Sequence, residues 1–115
     1  MSQYQIHKED WTSYLDRLSK SIQGQELEIE VAGLEVGDQI QEDWTPLEGL
    51  SYDPSDDAVY VQTAALDHSI RKPQEIYAEE ADSFIQSVVI RDGEGQVQTV
   101  HFRNPLKFDK SENMI

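Results

Sequence analysis

The chain contains 115 residues, no cysteine and a formal net charge of −14 at pH 7. That length is typical of one domain, and the lack of cysteine excludes disulfides, thiolate nucleophiles and cysteine-ligated metal sites. Because DNA, RNA and anionic membranes are bound mainly through Lys and Arg, a surface this acidic predicts neither a nucleic-acid nor a membrane partner.

No apolar stretch approaches the ~18 residues that a membrane-spanning helix needs. The N-terminus also lacks the basic and then apolar pattern of a secretion signal. Together with the lack of cysteine, these features predict a cytoplasmic protein.

Residues 8–23 have the hydrophobic period of one amphipathic helix. Its apolar side chains recur on one face: Trp11, Tyr14, Leu15, Leu18 and Ile22. Gly24 stands where a glycine commonly ends a helix. This stripe is typical of a helix that packs on a core rather than of a cofactor site.

The period then changes to two residues. In "ELEIEV" (26–31) three apolar residues alternate with three glutamates, which predicts a strand with one buried face. The glutamate face is either solvated or an acidic docking surface. Weaker strands are predicted at 38–44 and 46–52, and Pro46 would lie at an edge or a strand start because it donates no ladder hydrogen bond.

Further strands are predicted at 57–64 and, as two short segments, on either side of Pro73. The clearest hairpin joins 83–91 to 96–102 through "DGEG", because Asp-Gly and Gly supply the positive φ angles of a tight turn.

The pair Asn104-Pro105 would end the last long strand. Residues 1–108 are predicted to form a single α+β domain, and residues 109–115 a polar tail that frays.

One helix followed by six or seven short strands predicts that the helix packs on a curled, mainly antiparallel sheet. Strand 83–91 carries apolar residues at both alternating positions: Phe84, Val88 and Ile90 at one, Ile85 and Val89 at the other. One helix cannot cover both faces. Either the sheet curls into a barrel-like shape, or its second face meets another subunit.

The order of these signals resembles a known family. The segments that carry the resemblance are "WTSYLDRLSKSIQGQELEIEV", "GDQ", "PLEGLSYDPSDD", "DHSIRKPQEI" and "RDGEGQVQTVHFRNPL". They resemble the small bacterial and archaeal proteins catalogued as domain of unknown function 5335, from about Trp11 to Phe108. The resemblance implies a shared fold and brings no catalytic or binding residue with it.

The segment "SYDPSDDAVYV" contains three carboxylates, Asp53, Asp56 and Asp57. A calcium loop of the EF-hand type that begins at Asp53 would need Gly at its sixth position and Glu at its twelfth, where this chain has Ala58 and Ala64. The Asp-Pro pair favours a type I turn. An irregular cation site at the three aspartates is the alternative.

Three basic or imidazole side chains lie close together in the sequence: His68, Arg71 and Lys72. They could bind a small anion or an acidic peptide, with His101 joining if the fold brings it near. The alternative is a charged edge strand that discourages strand pairing.

No catalytic motif with its required spacing occurs in the sequence, which implies neither a metal nor another cofactor. We therefore expect a small, non-enzymatic accessory or interaction domain that self-associates. The alternative is a domain that binds a small ligand, an anion or a cation, or a minor enzyme, through His68, Arg71 and His101 or through the 53–57 loop.

Overall fold

The protein is described by a computed structural model that covers residues 2–33, 37–65 and 67–107. The predicted tail, 109–115, lies outside the described residues. One α-helix, α1 Trp11–Ile22, follows a single 3₁₀ turn, Lys8–Asp10. Eight strands account for most of the other described residues: β1 Ser2–Ile6, β2 Glu26–Gly33, β3 Gly37–Asp53, β4 Ala58–Thr63, β5 Asp67–Arg71, β6 Glu75–Ala81, β7 Phe84–Arg91 and β8 Val97–Lys107.

The strands form one antiparallel sheet in the order β1-β6-β7-β8-β2-β3-β4-β5, which differs from their order along the chain. The α+β class is therefore correct, but two details of the predicted sheet are wrong. The described part of the chain has eight strands rather than six or seven, and β1 and β5 remain as edges, so the sheet does not close into a barrel.

The helix prediction is confirmed over most of its length. All five stripe residues are buried, and Trp11 donates its indole N–H to the Ile6 carbonyl at 2.9 Å. The helix packs along the second half of β3, where the Leu50 N–H donates to Ser19 Oγ at 3.0 Å. No helix within the described ranges is long and apolar enough to cross a membrane.

Strand β1 was not predicted, because its five residues are mostly polar. It exists because β6 supplies an unshifted antiparallel partner from Ser2–Glu80 to Ile6–Ile76. Only Ile6 of this strand is fully buried.

The separate strands predicted at 38–44 and 46–52 are one continuous strand. Residues before Pro46 pair with β2, and residues after it pair with β4. Pro46 itself lies at the exchange between partners, at the end of the β3–β4 ladder. Its carbonyl accepts the Ala64 N–H at 3.1 Å, but proline has no N–H to return that bond. Trp44, with φ of +31°, lies at the register shift between the Leu27–Thr45 and Ile29–Glu42 pairs.

The predicted faces of β7 are wrong at two positions. A register shift between Glu79 and Glu80 on β6 inserts an extra residue into β7, and the alternation of side chains changes there. Ile85 is consequently buried with Val88 and Ile90, whereas Phe84 is 40% exposed. The second apolar face expected from Ile85 and Val89 is reduced to a half-buried Val89.

Strand β8 continues past Asn104-Pro105, which was predicted to end it. Leu106 and Lys107 pair with Ile85 and Phe84 after a register shift, so the backbone remains extended beyond the proline.

Candidate functional site

The acidic segment forms the turn between β3 and β4, and each carboxylate has its own partner. Asp53 Oδ1 accepts the Ser55 N–H at 2.8 Å, which is an Asx turn. Asp56 accepts the Tyr60 hydroxyl at 2.7 Å, and Asp57 accepts the Tyr52 hydroxyl at 2.9 Å. These hydrogen bonds hold the three side chains in separate local contacts.

Those contacts favour the turn over the cation site. Across residues 2–33, 37–65 and 67–107, no group of three or more His, Asp or Glu side chains is placed to hold a metal ion. The Asp56 hydrogen bond raises the pKa of the Tyr60 phenol, and burial followed by the Asp57 hydrogen bond raises that of Tyr52.

His68 of β5 ends a chain of hydrogen bonds that begins at the β7–β8 turn. Asp92 Oδ1 accepts the backbone N–H groups of Glu94 and Gln96, each at 2.9 Å, and its Oδ2 accepts Gln98 Nε2 at 2.9 Å. Gln98 Oε1 then lies 2.6 Å from His68 Nε2. Asp92 and Gln98 are each 5% exposed.

This chain determines the tautomer of His68. A carboxylate only accepts hydrogen bonds, so the Gln98 amide must direct its NH₂ at Asp92 and its oxygen at His68. Nε2 of His68 therefore carries a proton. The neutral ring has Nδ1 as its remaining acceptor.

A groove of about 370 Å³ lies along β4 and β5. Its lining comes from β4 and β5: Tyr60, Gln62, Asp67, His68 and Ser69. Tyr60, Gln62, Asp67 and Ser69 face away from the core, so the groove lies on the outer face of β4 and β5. The His68 imidazole points to Gln98 on the inner face.

The backbone of β5 is bonded on one side only. Lys72 N–H donates to the Asp57 carbonyl at 2.8 Å, one step beyond the Ala58–Arg71 pair. Facing pairs in an antiparallel ladder alternate between bonded and non-bonded, and β5 has no register shift. His68 and Ile70 therefore bond to β4.

The same alternation directs the N–H and C=O groups of Asp67, Ser69 and Arg71 to the opposite side of β5. All three residues are exposed, and within the described chain β5 pairs only with β4. These groups form a free strand edge.

Arg71 and Lys72, predicted as an anion site, lie at the end of this edge. Both are exposed, and Lys72 has φ of +54°. Lys72 also contacts the β7–β8 turn, since a Cβ built on Gly93 would lie 3.0 Å from Lys72 Cβ. Close approach, rather than a positive φ, is thus the reason for glycine at position 93; the positive φ of that turn belongs to Gly95.

The structure does not bring His101 to this group. His101 and Gln98 are three residues apart on β8 and lie on opposite faces of the sheet, because side chains alternate along a strand. Gln98 lies against His68 on the face that carries the core. His101 Nε2 pairs with Glu30 Oε1 at 3.0 Å on the opposite face of the sheet, the outer face.

That outer face is covered by polar pairs. Arg91 lies 3.2 Å from Glu75, and the guanidinium of Arg103 lies 3.5 Å from Glu26. Ser87 donates to Glu79. Glu26, Glu30, Glu75 and Glu79 thus each have a cross-strand partner.

Sequence reasoning missed Asp67, Asp92 and Gln98. Gln98 alternates with Val100 and Phe102, which was a signal that it faces inward. Its contact with His68 had no such signal, because it joins strands that are not neighbours in the sheet.

The comparisons with known proteins agree with the resemblance noted in the sequence. The chain is 45% identical over 91 residues to an uncharacterised protein of Aquifex aeolicus (strain VF5), and this match covers 78% of the chain and 82% of that protein. No solved structure matches the chain. A family model described as "Family of unknown function (DUF5335)" matches residues 2–111. The chain belongs to this DUF5335 family.

Proposed function

We propose that the protein is a small, non-enzymatic interaction domain that self-associates through a free edge of its open sheet. The observation that carries the proposal is the β5 edge, where exposed Asp67, Ser69 and Arg71 direct their backbone groups away from β4. Such an edge is a template for a further strand.

The other edge strand is the weaker candidate, because α1 lies against it. The Ile6 carbonyl accepts the Trp11 indole N–H, and the hydroxyls of Tyr4 and Tyr14 lie 3.2 Å apart. An incoming strand would have to displace or avoid these contacts.

The outer sheet face also supports self-association less well than the edge does. Its half-buried Val89 is surrounded by cross-strand polar pairs such as His101–Glu30 and Arg91–Glu75. An apolar face-to-face interface would need to bury those charges, which costs more than it gains unless each pair remains matched.

Sedimentation equilibrium tests this proposal. At tens of micromolar protein and 0.15 M NaCl, where the Debye length is about 8 Å and long-range repulsion is reduced, we expect the mass of a dimer or a larger assembly. A monomer mass throughout that range would contradict the proposal.

The second candidate is a site for a small anion in the groove on β4 and β5. It is favoured by the exposed Arg71, which lies two residues beyond Ser69 and on the same face of β5. Titration with inorganic phosphate, followed by NMR at His68, should give a saturable shift with His101 as the internal control. Equal and linear shifts of both rings would exclude the site.

A further inference from the structure

We propose that β5 pairs with β5 of a second copy, antiparallel and two-fold symmetric about Ser69, so that the two sheets become one. The inference rests on the proposed self-association and names its interface. The partner is a second copy of this chain, and the recognition element is the segment "DHSIR".

The backbone geometry favours this pairing. Antiparallel partners exchange two hydrogen bonds at each bonded pair. When Ser69 faces Ser69 of the second copy, Asp67 of each chain faces Arg71 of the other. The backbone N–H and C=O groups that these three residues direct to the free edge of β5 then all gain hydrogen-bond partners.

The charges agree with the same register. Asp67 and Arg71 are the first and last residues of β5, two positions on either side of Ser69. A two-fold axis at Ser69 therefore places each Asp67 opposite an Arg71, on the outer face that both share with Ser69. Opposite charges that face each other across strands stabilise a pair, and like charges destabilise it.

The sequence of β5 does not obstruct a second strand. Ser69, a small and exposed residue, lies at the axis. The strand contains neither proline nor a register shift. Both are common devices that prevent edge pairing.

The charged ends of β5 also explain selectivity. A short edge strand with charges is a general protection against unwanted strand addition. Here the order of the charges is complementary to itself in the antiparallel direction, so a second copy is accepted, whereas a strand with Asp opposite Asp67 or a basic residue opposite Arg71 is repelled.

Charge reversal tests the register. The symmetric dimer has two contacts between positions 67 and 71. Asp67→Arg puts two basic side chains at each of them and Arg71→Asp puts two acidic ones, so we expect each substitution to weaken dimerisation about tenfold or more. The double variant Asp67→Arg/Arg71→Asp should restore it. Mixing the two single variants in equal amounts should give a heterodimer, because every contact then joins opposite charges.

Sedimentation velocity would measure the dimer, and native mass spectrometry would identify the heterodimer by its mass. Glu9→Arg and Lys20→Glu make the same changes in net charge at exposed sites on the N-terminal 3₁₀ turn and on α1, and should leave dimerisation unchanged. Circular dichroism would verify that each variant is folded.

The outcomes separate the two proposals. A wild-type chain that remains monomeric overturns both the self-association and the β5 interface. A dimer that persists unweakened in both single variants overturns the Ser69-centred β5 interface, but the self-association itself still stands. Dissociation of the single variants without restoration in their mixture overturns the Asp67–Arg71 pairing.

Discussion

The proton on His68 Nε2 follows from a carboxylate two side chains away. Asp92 orients Gln98, and Gln98 orients His68, through contacts of 2.9 and 2.6 Å. Because Asp92 and Gln98 are each only 5% exposed, water cannot easily replace these partners. This chain of hydrogen bonds links β5 to the β7–β8 turn.

Gln98→Met should therefore destabilise the fold. It removes the amide and leaves the buried Asp92 oxygen without that donor, which costs about 1–3 kcal/mol. Urea unfolding would measure the loss, with the exposed Gln62→Met as the control. An equal effect of the two substitutions would show that the hydrogen-bond chain contributes nothing to stability.

Trp11 and His101 should differ strongly in their contributions to stability. Trp11 is 2% exposed and packs edge-on against Tyr52 with ring centroids 5.1 Å apart. Trp11→Ala should cost about 3–5 kcal/mol, the range for a buried large aromatic residue. His101→Ala loses a partly exposed pair with Glu30 and should cost less than about 1 kcal/mol. The reverse order in urea melts would contradict this packing.

The buried tyrosines predict how stability depends on alkaline pH. Burial raises the pKa of Tyr14 and of Tyr52, and hydrogen bonds to Tyr4 and Asp57 raise them further. A raised folded-state pKa contributes stability that is complete below the unfolded pKa of about 10 and is lost as the pH rises above it.

Urea melts between pH 9 and pH 11 should show this loss, since only the unfolded phenols ionise freely near pH 10. Tyr52→Phe should make the decline shallower. An unchanged slope in that variant would mean that Tyr52 titrates alike in the folded and unfolded chains.

At the scale of whole elements, the sequence predicted the buried residues correctly where the apolar pattern of an element faces a single packing surface. The α1 stripe has a single burial face, so its period identified the buried residues. In β7 the period was clear, but the register shift opposite Glu79 and Glu80 exchanged the faces of Phe84 and Ile85. The sequence of β7 alone does not show where its register against β6 shifts.

Strand β3 shows the same limit differently. Pro46 suggested a boundary, because the sequence does not state that the strand exchanges β2 for β4 at that residue. The candidate site was predictable only in part. His68 and Arg71 were recognised by residue type, but their setting at a free edge depends on which strand lies beside β5.

The β3–β4 turn gives a prediction at this scale. Asp53, Asp56 and Asp57 accept hydrogen bonds from separate local donors. Millimolar CaCl₂ and NaCl at equal ionic strength should therefore raise the melting temperature about equally by screening. A saturable gain specific to calcium, lost in Asp53→Asn/Asp57→Asn, would contradict the assignment of this segment as a turn.

For the whole molecule, net charge and sheet topology have opposite effects on self-association. A net charge of −14 repels a second copy, whereas an open sheet with an exposed β5 edge favours one. The Asp67–Arg71 order places attraction at close range, where salt screens it less than it screens the repulsion between distant charges.

Hydrogen exchange at the β5 amides tests the central claim most directly. The His68 and Ile70 amides bond to β4 within one chain, so NMR should find them protected at every protein concentration. The Ser69 amide gains a partner only in the proposed dimer, so its protection should rise with protein concentration in parallel with dimer formation. If the dimer forms while Ser69 exchanges at the same rate at low and high concentration, the β5 edge is not the interface.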